Sequence, residues 1–274
     1  RTRAGRSPWR APVDRHQKLV RILFATGIVC VAGLVLVYGY SVLLFQEVPP
    51  AWAGWLTTVG YASAAILAVT GIGLLFDRSA QLSVRILLPF LLLWLLTRIP
   101  VVLADPLREI SWFAIGEIAV PVSAALTLYV WLSGPGAASR LQRAAATHGP
   151  VVTRILVGGS IITFGLSHFF EFAARTVSLV PAWLPFRTAV ADLAGAAQVA
   201  AGLGVLCNVQ PRLAAAAEAG MLSLFALLVW VPAVISRPGL QSNWVEFLVT
   251  WELAAACWVV AEGFRRRRAT PGLA

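Results

Sequence analysis

The chain has 274 residues, a mean hydropathy of +0.79, and 59% hydrophobic against 12% charged residues. About a quarter of an ordinary soluble domain is charged, so the composition excludes a soluble enzyme or binding module. The net charge of +10 does not make it a nucleic-acid binder, because its basic residues sit at the ends and in particular turns rather than on one soluble face, a pattern that orients a chain against anionic lipid.

In chain order, residues 1–21 form a polar, basic segment with Arg1, Arg3, Arg6, Arg10, Arg15, Lys18 and Arg21. The apolar run 22–45 is longer than a signal-peptide core and lacks a small-residue cleavage site, so it reads as an uncleaved first span. Seven more runs approach or exceed the roughly 20 residues a crossing needs. They are 51–76, 86–104 (interrupted by Arg98 and Pro100), 112–132, 155–174, 183–207, 213–235 and 244–261. Between the fourth and fifth, 133–154 reads as a polar linker, and the basic run Arg265–Arg268 closes the last span. The predicted fold is all-α, an eight-span polytopic membrane protein.

With eight spans, seventeen of the 22 Lys and Arg fall on the side of the N-terminal segment. That bias predicts cytoplasmic termini. Trp52, Trp112, Trp183 and Trp244 then all lie at the outer interface. Lys18 is the sole lysine beside abundant Arg and Ala, which suggests a bacterial coding sequence and hence the inner membrane. The expected surroundings are the bilayer itself and anionic headgroups on the cytoplasmic side, with no nucleic acid.

The two halves match each other. Arg21-Ile-Leu aligns with Arg154-Ile-Leu, and Pro50-Ala-Trp52 with Pro181-Ala-Trp183. Gly71 and Gly73 align with Gly202 and Gly204, and Pro100, Pro106 and Trp112 with Pro232, Pro238 and Trp244. Glu117 meets Glu252 after a three-residue gap. Residues 22–133 and 154–264 therefore read as two parallel-repeat four-helix bundles, joined by a cytoplasmic linker at 134–153 and flanked by basic tails at 1–21 and 265–274.

Three stretches of the second half, Gly165-Leu-Ser-His168-Phe-Phe, Leu179-Val-Pro-Ala-Trp-Leu-Pro185 and Ala194-Gly-Ala-Ala-Gln-Val-Ala-Ala-Gly202, resemble the DoxX family of four-helix bacterial membrane proteins. The likeness extends more loosely to the first half. Gln198 stands where some members carry His, and Val35 stands where the repeat would place one. The resemblance implies an association with membrane oxidoreductase assemblies, a quinone as ligand and a redox protein as partner. It marks His168 as a family-like position without assigning it catalysis.

Charge inside hydrocarbon is costly and usually faces the protein interior. The candidate ligand-binding residues are His168, Glu171, Asp192, Gln198 and Glu252. His168, Asp192 and Glu252 each lie about 12 Å in from the outer end of their spans at a rise of about 1.5 Å per residue. On the fifth span His168, Glu171 and Arg175 are spaced i, i+3, i+7 and therefore share a helix face. This set reads either as a proton-accessible pocket for the polar head of a quinone or other small amphiphile, or as an interhelical cluster that locks the bundle. Glu171, Arg175, Arg187 and Glu246 are close enough to the interface to snorkel. Arg98 and Glu117 read as a structural ion pair, and Glu218 as interfacial.

Cys30, Cys207 and Cys257 lie in apolar runs without a CxxC, so neither a thiolate metal site nor a redox pair is expected. Phosphate loop, HExxH and nucleophile-elbow motifs are absent, and no catalytic residue is assigned. The expected function is a quinone- or amphiphile-binding subunit. A proton-coupled small-solute transporter and a scaffold docking a soluble redox enzyme are the alternatives.

Overall fold

The structure is a computed structural model and describes residues 14–39, 54–133 and 139–269. The expected tails (most of 1–21 and all of 270–274), the end of the first span, the turn with Pro49, Pro50 and Trp52, and part of the linker lie outside those residues. Among the described residues there are helices and no strand. The long elements are α1 (Arg15–Tyr38), α2 (Leu56–Leu75), α3 (Ala80–Leu96), α5 (Glu109–Ser133), α6 (Arg140–Leu166), α8 (Arg187–Leu206), α9 (Pro211–Phe225) and α11 (Gln241–Ala269). Shorter helices are α4 (Ile99–Ala104), α7 (Ala173–Leu179) and α10 (Val231–Ser236), with a π segment at Ala226–Trp230. Taking α3 with α4 and α9 with α10, eight spans are long and apolar enough to cross a membrane. The chain is a multi-pass, all-helical membrane protein.

Local chemistry sets the boundaries. Asp14 caps α1 by accepting the N–H of His16, and Gly39 closes it at φ 87°, where a side chain would be strained. Ser139 and Gln142 form a reciprocal capping box that starts α6 fifteen residues before the expected fifth span. The predicted linker at 134–153 is therefore mostly helix. α6 also stops early, at Leu166 rather than 174. There the Ser167 hydroxyl donates to the Phe164 carbonyl at 2.6 Å, and the chain turns through His168 to Phe172 before α7.

Each long helix packs on its chain neighbours, and one further contact, α1 against α11, closes the set into a ring, while α5 and α11 also meet across the middle. The ring departs from two self-contained bundles, since the main partners of α1 are α2 and α11, and those of α6 are α8 and α5. Small residues allow this. Ala254, Ala255 and Ala256 are buried on α11, and Ala119, Ala124 and Ala125 on α5, which brings backbones close where lipid offers no hydrophobic drive to association. The largest apolar core accordingly draws on α1, α2, α3, α5, α9 and α11 together.

Two regions are unusually tight. Along α6 and α8, a Cβ built at Gly165 would lie 2.7 Å from the Gly195 carbonyl oxygen, and one at Gly202 would lie 2.8 Å from that of Gly158. Between α1 and α11, a Cβ at Gly27 would lie 3.0 Å from the Cα of Glu252. On the face where α1 begins and α11 ends, Asp77 bonds both Lys18 and Arg21, and Arg265 bonds Asp14 and Glu262.

The third and seventh spans are both interrupted near the opposite face. α3 gives way at Thr97 and Arg98 to α4, with Pro100 in its first turn. α9 widens into the π segment before α10, with Pro232 in its first turn. The helix ends that follow are alike: Asp105 at φ −143°, ψ 80° and Arg237 at φ −141°, ψ 71°.

Candidate functional site

The cleft that draws acidic groups together lies between α1, α2, α3, α5 and α11. Its cavity volume is about 80 Å³, and it is open on one side. Its walls are apolar and aromatic, with Leu67, Phe90 and Trp94 among them, and the polar groups in its lining are Ser63, Glu117 and Glu252. Glu117 sits about 12 Å into α5 and Glu252 about 16 Å into α11 at about 1.5 Å per residue. The first turn of each helix faces the side opposite the termini. The close approach at Gly27 seats Glu252 between α1 and α5, leaving it only 9% exposed.

Four charges act on Glu117: the carboxylates of Glu246 and Glu252, and the guanidinium groups of Arg98 and Arg175. Arg175 of α7 is ion-paired with Glu246 in the early turns of α11, so this pair closes the cluster toward the opposite face. Arg98, 3% exposed, acts on Glu117 through its charge. The group is thus an acidic cleft with basic side chains at one end, larger than the isolated Arg98–Glu117 ion pair expected from sequence.

Between α5 and α6 the packing is aromatic. Phe164 of α6 packs on Phe113 at a centroid distance of 5.0 Å, and Phe113 meets Phe172 at 5.7 Å. Gly116 lies directly under the Phe164 ring.

The expected site residues separate into two groups and one outlier. His168 and Asp192 lie together between the end of α6 and α8, where the His168 Nδ1–H donates to the Ala191 carbonyl at 2.9 Å. Gln198 is buried on α8 and donates through Nε2 to Glu218 Oε1 at 2.9 Å. Glu252 does not join them. Equal depth along three helices set no rotation about their axes, and Gly27 turns Glu252 toward α1 and α5. The early end of α6 removes the shared face expected of His168, Glu171 and Arg175. Glu171 is exposed, and its backbone N–H donates to Glu109 at 2.7 Å.

Two acids took on places that sequence reasoning did not assign. Glu117 lines the cleft, and Glu218 is fully buried within the protein. The repeat had already aligned Glu117 with Glu252, and that was the available signal. Glu218 offered none, because seven residues into a helix is compatible with either depth. Among the described residues no group of three or more His, Cys, Asp or Glu is placed to hold a metal ion.

No family model, no curated protein and no solved structure matches this chain.

Proposed function

We propose that the chain is a DoxX-like, duplicated membrane subunit that binds a small amphiphile in the cleft between α1, α2, α3, α5 and α11, with a quinone as the first ligand to test. One observation carries this reading: two carboxyl groups from different halves, Glu117 and Glu252, enter a single apolar cleft. Pockets of this kind hold a ligand body on aromatic and aliphatic walls and fix its head with a few polar groups. Phe90 and Trp94 provide the walls, and Ser63 with the two carboxyl groups provides the polar anchors. The tail of the ligand extends toward lipid.

Duplication is supported by the matching helix interruptions and helix ends, and by helix contacts that map onto one another when the halves are exchanged. The Lys and Arg bias supports the inner membrane with cytoplasmic termini and anionic lipid against that face, while the DoxX resemblance implies a redox protein as a partner of the assembly.

The test is mass spectrometry of small molecules retained by the chain purified into nanodiscs, compared with Glu117→Gln/Glu252→Gln. Retained quinone or another amphiphile, lost in the double variant, supports the reading. Equal retention in both samples rejects it.

A second reading, proton-coupled transport of a small solute, is favoured by the interruptions of the third and seventh spans at corresponding positions. The α5 helix, by contrast, runs unbroken through Pro121. Solute uptake driven by a proton gradient in proteoliposomes supports this alternative, and absence of flux removes it.

A further inference from the structure

The α8 and α9 helices carry a polar pair that the cleft does not use. Gln198 is 2% exposed and Glu218 is 0% exposed. One hydrogen bond joins them, from Gln198 Nε2 to Glu218 Oε1. The other oxygen of each group, Gln198 Oε1 and Glu218 Oε2, is buried without a partner. Two orphaned acceptors side by side in a membrane interior require explanation, since buried polar atoms are almost always satisfied.

The surroundings of Glu218 narrow the choice. The α8 helix contributes Gln198, and α11 contributes the Cys257 thiol, which lies within electrostatic range. The π segment Ala-Leu-Leu-Val-Trp contributes no titratable group. Among the described residues no cation acts on Glu218. An ionised carboxylate here would be a charge in hydrocarbon held by one neutral donor, which costs several kcal/mol. A carboxylic acid resolves the count. Its O–H on Oε2, turned back to the amide oxygen, closes a two-armed ring and satisfies both orphaned atoms with one proton.

At the other end of Gln198 stands His168, on which Asp192 and the Gln198 amide both act. Its Nδ1–H is committed to Ala191, so in the neutral ring Nε2 holds the lone pair. His168 is half-buried just past the end of α6, at the face opposite the termini. It is a group that exchanges protons readily and sits beside the same amide.

We propose that Glu218 and Gln198 form an acid–amide pair that holds a proton inside the second half of the bundle, with His168 beside its amide. The pair is separate from the cleft and does not depend on what the cleft binds.

Infrared spectra of the full chain in nanodiscs at neutral pH test this. The difference between the parent protein and Glu218→Gln is expected to show loss of one protonated-carboxyl C=O band, and an unchanged spectrum overturns the proposal. Gln198→Leu keeps the acid and removes its acceptor, so the band is expected to move to higher wavenumber. A band that stays in place overturns the pairing, and this variant decides the matter if Glu218→Gln does not fold.

Discussion

Trp112 and Trp244 stand 132 positions apart and make the same bond. Each indole Nε1–H donates to the carbonyl of the proline six residues earlier, Pro106 or Pro238, at 2.8 Å in both cases. Each ties the turn after an interrupted helix to the start of the next long one. The backbone bonds around them also correspond, with Ser111 N–H to Arg108 O and Asn243 N–H to Leu240 O both at 3.2 Å.

Replacing either tryptophan with Phe keeps the ring and removes the donor. Each variant is expected to lose about 1 kcal/mol, the usual net worth of such a bond, and to lower the thermal midpoint by a similar amount. Thermal unfolding of the two single variants in nanodiscs checks this. A loss confined to one of them would show that the two turns are not equivalent.

Gly195 and Gly159 offer a paired comparison. A Cβ at Gly195 would lie 2.5 Å from the His168 Cβ and 2.8 Å from the Gly165 carbonyl oxygen, whereas one at Gly159 would meet nothing within 4 Å. Gly195→Ala is expected to cost about 1–3 kcal/mol by overpacking. Gly159→Ala is expected to be neutral, or to gain up to about 1 kcal/mol from helix propensity. Midpoints measured in one detergent provide the check.

The Arg21 guanidinium bonded to Asp77, with Lys18 beside it, holds the Asp77 carboxyl below the usual carboxylate range. A depressed folded value means the stabilisation is present above the unfolded value and disappears as the pH falls through the folded one. Asp77 is 58% exposed, so solvent screening limits the contribution to about 0.5 kcal/mol. Asp77→Asn is expected to remove that much of the acid-side loss of stability, read as the difference between parent and variant midpoints across an acid titration.

Filling the cleft tests it without touching charge. Leu67→Trp places a larger ring opposite Phe90 and Trp94. The expected result is a folded protein with an unchanged helical spectrum that no longer retains the amphiphile found with the parent chain. Undiminished retention by mass spectrometry would place the ligand elsewhere.

How much of this was legible beforehand depended on the kind of signal. The interruption at Arg98 and Pro100 could be read because proline cannot donate to the helix ladder. The early start of α6 was obscured because Gly-Pro punctuation outweighed the Ser139/Gln142 capping box. Glu252 was assigned the wrong neighbours because depth along a helix says nothing about rotation around it. Aligning it with Glu117 already carried the better clue.

By itself the sequence determined that the chain is helical, with eight segments long and apolar enough to cross a membrane, since hydrocarbon requires every backbone polar group in a long apolar run to be bonded within that run. It also marked Glu117 and Glu252 as corresponding positions. Only the tertiary structure decided that the helices close into one ring, that both acids enter one cleft while Phe164 packs on Phe113, and that Glu218 meets Gln198. Those outcomes depend on how each helix is turned toward its neighbours, and in lipid that rotation is chosen by backbone approach at residues such as Gly27 and Gly195 rather than by a polar face.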